Sequence, residues 1–209
     1  MNQNLLRELA FQTATAIFAV TGVQAAARRN MDVLSFVIIG VVTAIGGGTL
    51  RDIVLETHVF WLRDPLYLYV AAGAAVATFF FGQRFRASLH AFLYLDAIGT
   101  AVFAVSAASL TLGMGYPAGI AVVMGVLTGI GGGVQRDLLT GNPTLLARRE
   151  LFMTPILLGL LFYVGVPRVA ADYHRAWELA AIVFIAGFRI AAIRFDWAFP
   201  DWLTYKPLK

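Results

Sequence analysis

The sequence predicts an all-α membrane protein of seven transmembrane helices: an inverted repeat of three helices plus one, with kinked second and fifth helices. Three observations predict it. The 209 residues are 59% hydrophobic and only 13% charged, whereas a soluble domain carries about 25% charged residues and must face water over much of its surface. Seven apolar stretches approach or reach the roughly 20 residues that cross a bilayer core. The chain also repeats itself at an offset of 85 residues. Such a composition argues against a cytosolic enzyme, a nucleic-acid binder and a disordered regulator.

The first apolar stretch, near 9–27, ends in Ala25-Ala26-Ala27 and so resembles a cleavable signal. It recurs in mid-chain, which argues for a retained helix. The second, near 34–55, holds Gly46-Gly47-Gly48. The third, near 65–82, starts at Pro65, a first-turn position where a missing N–H costs nothing. The fourth, near 89–111, contains Asp96. The fifth, near 116–139, starts at Pro117 and holds Gly131-Gly132-Gly133; Asn142-Pro143 then reads as a turn. The sixth, near 151–166, is the shortest and contains Pro155. The seventh, near 177–195, lies outside the repeat. The connections carry most of the charge: Arg28-Arg29, His58 to Asp64, Arg84 to Arg86, Arg148 to Glu150, and Arg168 to Arg175.

Residues 40–52 and 125–137 are identical at nine of thirteen positions without a gap. The same offset aligns Ile17-Phe18-Ala19-Val20-Thr21 with Val102-Phe103-Ala104-Val105-Ser106. Three crossings reverse the chain, so the two halves enter the membrane from opposite sides. The expected division is 1–83, 84–168 and a remainder, 169–209, holding the seventh helix and a tail. Orientation follows from Lys and Arg. With Arg51, Arg136 and Arg189 set aside as lying within helices, Arg28, Arg29, Arg84, Arg86, Arg148, Arg149, Arg194, Lys206 and Lys209 fall on one face, and Arg7, Arg63, Arg168 and Arg175 on the other. Nine against four places the C-terminus in the cytoplasm and the N-terminus outside. The net charge of +4 thus serves orientation rather than nucleic-acid binding.

Three consecutive glycines are costly in a helix. Two readings are open. A break would free carbonyls toward a polar path, which is tolerated at membrane depth only where protein or water satisfies them. Close packing would instead use small residues four apart, as in Gly40, Ala44 and Gly48, or Gly125, Gly129 and Gly133. The break is favoured, because packing needs a small residue every fourth position rather than three in a row. On that reading, replacing Gly47 and Gly132 straightens the helices and suppresses flux. Arg51-Asp52 and Arg136-Asp137 follow the triplets; charge at that depth faces an interior or a cavity. Neighbouring residues point about 100° apart on a helix, so pairing between helices is one expectation. Structural ion pairs and a direct role in conduction both remain open. Thr43 and Thr128 correspond across the repeat and either face a pore or bond back to their own helices. Asp96 corresponds to Phe11, which suggests a local partner such as an arginine. For Gln12, Gln24 and Gln135 a helix-end or interhelical hydrogen bond is expected.

Other motifs are set aside. Gly113-Met114-Gly115-Tyr116-Pro117-Ala118 follows no strand, so it is not a dinucleotide loop. His58, His90 and His174 lie far apart, and no fixed metal site or cofactor is expected. The absence of cysteine removes disulfides and thiolate chemistry. Lysines occur only at 206 and 209, which leaves a retinal Schiff base no place. Trp61, Tyr67, Tyr69, Trp177 and Trp197 read as interfacial anchors.

A Gly-Gly-Gly-x-x-Arg-Asp motif in both the second and fifth helices, within a three-helix repeat plus one, resembles the prokaryotic trimeric intracellular cation (TRIC) channels over roughly residues 5–195. The resemblance implies a homotrimer in the bacterial inner membrane, with a pore in each protomer for potassium and sodium. It also implies that the pore elements are Thr43, Gly46, Gly47, Gly48, Arg51 and Asp52, with Thr128, Gly131, Gly132, Gly133, Arg136 and Asp137. Animal members carry a lipid-binding basic motif after the second-helix glycines, where this chain reads Thr49-Leu50-Arg51-Asp52. Similar bacterial sequences are also described as glycine transporters, so a carrier for a small zwitterion is the alternative. A membrane scaffold without transport is a third class.

Overall fold

A computed structural model of the chain describes residues 3–27, 31–81, 89–147, 151–165, 174–198 and 200. The helices are α1 (Gln3–Ala26), α2 (Val33–Val54), a single turn α3 (Phe60–Arg63), α4 (Leu66–Phe81), α5 (Leu89–Gly113), α6 (Ala118–Thr140), α7 (Met153–Gly165) and α8 (His174–Arg194). A 3-10 turn, Leu145–Ala147, precedes α7. Helices α1, α2, α5, α6 and α8 are long and apolar enough to cross a bilayer; α4 and α7 are shorter apolar helices. The second and fifth predicted segments are therefore α2 and α6. Among the described residues the sequence reading missed two short elements, α3 and the 3-10 turn, both inside stretches expected to be plain connections. The charged positions Arg28, Arg29, Arg84, Arg86, Arg148, Arg149, Arg168, Lys206 and Lys209 lie outside the described residues.

Local chemistry sets the ends of α2 and α6. The Asp32 carboxylate accepts the Ser35 N–H at 2.7 Å and caps α2. That backbone bond, chiefly, holds the Asp32 carboxyl below its usual value. Pro117 occupies the N-cap position of α6. Helix α6 ends at Gly141, left-handed at φ +62°, with its N–H on Leu138 O at 3.2 Å. The equivalent residue after α2 is Glu56, at φ +52°, with its N–H on Ile53 O at the same 3.2 Å. The repeat thus preserves the left-handed cap while replacing its glycine by a residue with a Cβ. Replacing Glu56, which is exposed, with glycine is expected to relieve that strain and stabilise the protein by about 1 kcal/mol or less. Thermal unfolding checks this.

The two halves meet through residues that the offset of 85 makes equivalent. The Phe18 and Phe103 rings pack edge to face with centroids 5.3 Å apart. Gly47 touches Gly132. Equivalent residues can meet only near the axis that relates the halves, so these two contacts mark the axis of the inverted repeat. Around it lie three apolar clusters. One joins Phe18, Ile45 and Phe103; a second joins Val23, Phe36 and Ile39; the largest joins Phe92, Val105, Ile156, Leu160 and Ile185. Helix α8, outside the repeat, completes this last cluster through Ala181, Ile185 and Ile193.

Candidate functional site

Lipid tails are as apolar as leucine, so membrane helices associate through close packing and buried polar contacts. The α2–α6 crossing shows both. Each helix runs through its glycine triplet without interruption, so the expected break is not present. In α2 packing alone accounts for three glycines in a row, because a different neighbour approaches each of them. A Cβ on Gly46 would meet the Gln135 side chain at 1.8 Å, one on Gly47 the Thr128 carbonyl oxygen at 2.2 Å, and one on Gly48 the Phe60 ring at 2.6 Å. Across the axis, a Cβ on Gly132 would meet the Thr43 carbonyl oxygen at 2.1 Å. Gly131 lies against the Gly47 backbone, whereas a Cβ on Gly133 would find only ordinary contacts at 3.5 Å and beyond. Gly40, Gly125 and Gly129 use the four-residue spacing against other helices: Gly40 against Ala75, and both Gly125 and Gly129 against Ala104.

Both Arg-Asp pairs close on themselves. Arg51 Nε donates to Asp52 Oδ1 at 2.7 Å, and Arg136 Nε to Asp137 Oδ1 at 2.8 Å. The 100° between neighbours was the wrong criterion, because an arginine is long enough to curl back. The second carboxylate oxygen of each aspartate holds the element that follows its helix. Asp52 Oδ2 accepts the Phe60 N–H at 2.8 Å, and Asp137 Oδ2 accepts the Leu145 N–H at 3.2 Å. Phe60 opens α3 and Leu145 opens the 3-10 turn, so one device anchors equivalent turns in both halves.

The halves differ beyond that point. Arg136 is fully buried, and its Nη1 donates to Asp96 Oδ1 at 2.7 Å and to Thr21 Oγ1 at 3.3 Å. Asp96 Oδ2 lies 3.7 Å from Nη2 of Arg189 on α8. Arg189 is 2% exposed, donates to the Phe152 carbonyl at 3.3 Å and lies over the Phe152 ring at 4.0 Å. Two arginines and two aspartates thus form a neutral buried cluster joining α5, α6 and α8. Partners of this kind are what a buried charge requires. The expectation that Asp96 pairs with an arginine agrees with these contacts. Arg189, set aside in the orientation count as lying within a helix, was assigned no partner from the sequence, although a lone arginine deep in an apolar helix is itself a signal.

In the first half, Phe11 stands where Asp96 stands, and Ser106 where Thr21 stands. Arg51, 7% exposed, borders a cavity of about 140 Å³ lined by Phe11, Phe60, Tyr67, Phe103 and Ser106 among others. Tyr67 therefore faces a cavity as well as sitting near a segment end. The equivalent space in the second half, lined by Asp96, Gly133, Leu145 and Phe152 among others, measures only about 10 Å³.

Thr43 bonds back to its own helix, with Oγ1 donating to Ile39 O at 2.6 Å. Thr128 Oγ1 is buried and has no hydrogen-bond partner among the described residues. Among the described residues neither polar atom of Gln12 is hydrogen-bonded and Gln24 Oε1 has no partner, so the bonds expected for them are not seen there. The third glutamine, Gln135, lies across Gly46. Trp61, expected as an anchor, donates from Nε1 to Thr49 Oγ1 at 2.9 Å. Among the described residues no group of three or more His, Asp or Glu is placed to hold a metal ion.

Comparison with known proteins agrees with this architecture. Residues 9–83 and 93–168 each match the family described as Glycine transporter. A UPF0126 membrane protein of Vibrio cholerae is 36% identical over 92% of this chain and 81% of the relative. The UPF0126 inner membrane protein YadS of Escherichia coli K12 is 34% identical over 89% of this chain and 91% of the relative. The TRIC trimeric intracellular cation channel orthologue from Rhodobacter sphaeroides has a solved structure that superposes with a TM-score of 0.86, at 37% identity, over 92% of this chain and 99% of that one. This membrane protein, with its doubled glycine motif and its buried Arg-Asp pairs, belongs to the prokaryotic TRIC family, whose family model is described as Glycine transporter and whose curated relatives are named UPF0126 membrane proteins.

Proposed function

We propose that the chain is a passive channel for monovalent cations, potassium and sodium, with one pore per protomer of a homotrimer in the bacterial inner membrane. The observation that carries this reading is the likeness to the Rhodobacter sphaeroides channel over 92% of the chain. On this reading the route runs along the α2–α6 crossing. Here Thr43, Arg51, Asp52, Asp96, Thr128, Arg136 and Asp137 are all buried polar groups on or beside the two glycine helices. Each arginine has a carboxylate partner, which removes the repulsion it would otherwise exert on a cation.

The reciprocal contacts of Gly47 and Gly132 close the crossing, so Gly46, Gly47, Gly48, Gly131, Gly132 and Gly133 act as the gate region. Conduction then requires α2 and α6 to separate, which brings the Thr43 and Thr128 carbonyls to the opening as ligands for a dehydrated cation. The transport unit is the pair of inverted halves, 1–83 and 84–168, and 169–209 adds α8 and the tail. The C-terminus is cytoplasmic and the N-terminus outside.

Cysteine scanning tests the route against a clean background, since the chain has no native cysteine. With Thr43→Cys and Thr128→Cys, a water-soluble thiol reagent is expected to modify both positions in conducting protein and to block current. Complete protection in every state would leave no pore there.

The second reading, a carrier for a small zwitterion such as glycine, is favoured by the description of the matching family and by the cavity beside Arg51. Turnover separates the two. Domain rearrangement on the μs–ms scale limits a carrier, so flux above about 10⁴ per second excludes it. Saturable glycine uptake without unitary currents excludes the channel.

A further inference from the structure

The offset of 85 residues allows each half to be used as a template for the other. In the second half the guanidinium of Arg136 is held by two carboxylates, those of Asp137 and Asp96, and by the Thr21 hydroxyl. In the first half Arg51 has the equivalent of Asp137, which is Asp52, and the equivalent of Thr21, which is Ser106. The equivalent of Asp96 is missing, because Phe11 stands in its place. Arg51 Nη1, whose counterpart grips Asp96, makes no hydrogen bond among the described residues, and neither does Ser106 Oγ. Where the second half leaves about 10 Å³, the first leaves about 140 Å³. A cavity of about 150 Å³ holds a benzene molecule, so this one has room for four or five heavy atoms.

We propose that the cavity beside Arg51 is a binding site for a small monocarboxylate, of acetate to glycine size, whose carboxylate takes the place that Asp96 fills in the second half. The donors are Arg51 Nη1 and the Ser106 hydroxyl. A guanidinium binds a carboxylate through charge-assisted bonds, which are the strong ones in a weakly hydrated setting. Phe11, Phe60, Tyr67 and Phe103 supply aromatic walls, a setting in which an α-ammonium group is attracted to a ring. Arg51 is more than nine-tenths buried, so its remaining N–H groups gain from an acceptor in the cavity. The inference concerns binding and holds for a channel or a carrier.

The test is equilibrium binding of radiolabelled acetate and glycine to the purified full-length protein, beside thermal unfolding at matched ionic strength in sodium acetate, glycine, sodium chloride or methylammonium chloride. Acetate and glycine are expected to bind saturably, one per protomer, to compete with each other and to raise the unfolding temperature; methylammonium is not. Arg51→Gln is expected to weaken binding about 30-fold or more, as removing one partner of a buried charged bond does. Phe11→Asp, which supplies the missing carboxylate on the chain, is expected to abolish it. Ser106→Leu fills the cavity without altering charge and is expected to abolish it as well, which keeps the test decisive if Phe11→Asp does not fold. Absence of saturable acetate binding to the wild-type protein, a chloride effect equal to that of acetate, or undiminished binding in Arg51→Gln overturns the proposal. None of these readouts is a flux, so failure here is distinguishable from failure of the channel reading.

Discussion

Replacing Asp96 with alanine is expected to destabilise the protein by about 3–5 kcal/mol, because the carboxylate shared by two buried arginines disappears. Of its two carboxylates Arg136 would keep Asp137, and Arg189 would lose its ion-pair partner on α5. Neither cation can reach water by a rotamer change, since the two residues are 0% and 2% exposed. The loss should therefore appear as a large fall in unfolding temperature rather than as a local adjustment. Removing the arginine as well, in Asp96→Ala with Arg136→Met, is expected to cost less than the sum of the single changes, since the Asp96–Arg136 pair goes as a unit, while Asp137 and Arg189 each lose one partner. Unfolding of the single and double variants in one detergent measures this. Equal costs for Asp96→Ala and for an alanine at an exposed site such as Leu62 would show that the cluster does not hold the second half together.

The second large effect is at the crossing. A Cβ at position 132 would sit 2.1 Å from the Thr43 carbonyl oxygen, and one at position 47 would sit 2.2 Å from that of Thr128. These are backbone atoms of long helices and cannot swing aside as a flexible side chain would. Gly47→Ala and Gly132→Ala must push α2 and α6 apart by about 1 Å to restore normal contact, at a cost of about 1–3 kcal/mol each. Gly133→Ala is the internal control. Its Cβ would meet nothing nearer than 3.5 Å, and alanine gains about 1 kcal/mol of helix propensity over glycine. It should be neutral or slightly stabilising. On function, the geometry reverses the effect expected from a helix break. Because the glycine contact closes the crossing, forcing it open is expected to raise the open probability of Gly47→Ala and Gly132→Ala channels, and Gly133→Ala is expected to gate normally. Single-channel recording of the three variants checks this; normal gating in all three would remove the crossing from the gate.

The contrast between these two sites shows what a sequence can carry. Helix positions were legible because a bilayer demands long apolar stretches, although α4 and α7 are shorter than a full span. The relation between the halves was legible because it is written as a repeat, and Phe18 and Phe103 indeed meet at the axis. Neighbour chemistry was not. Whether three glycines mark a break or a crossing depends on what approaches each of them, here Gln135 and Thr128 of α6 and Phe60 of α3. The curl of Arg51 and Arg136 onto the next residue depends on rotamers, which spacing does not fix. Arg189 lies outside the repeat, so no counterpart drew attention to it. The Phe11-for-Asp96 exchange was visible as letters, but its consequence is a volume, and volume needs coordinates.

The central claim, that the chain conducts cations, is tested most directly by one electrical measurement. Purified protein in a planar bilayer under a KCl gradient is expected to give discrete unitary currents that reverse near the potassium equilibrium potential. Reversal near the chloride equilibrium potential would contradict it.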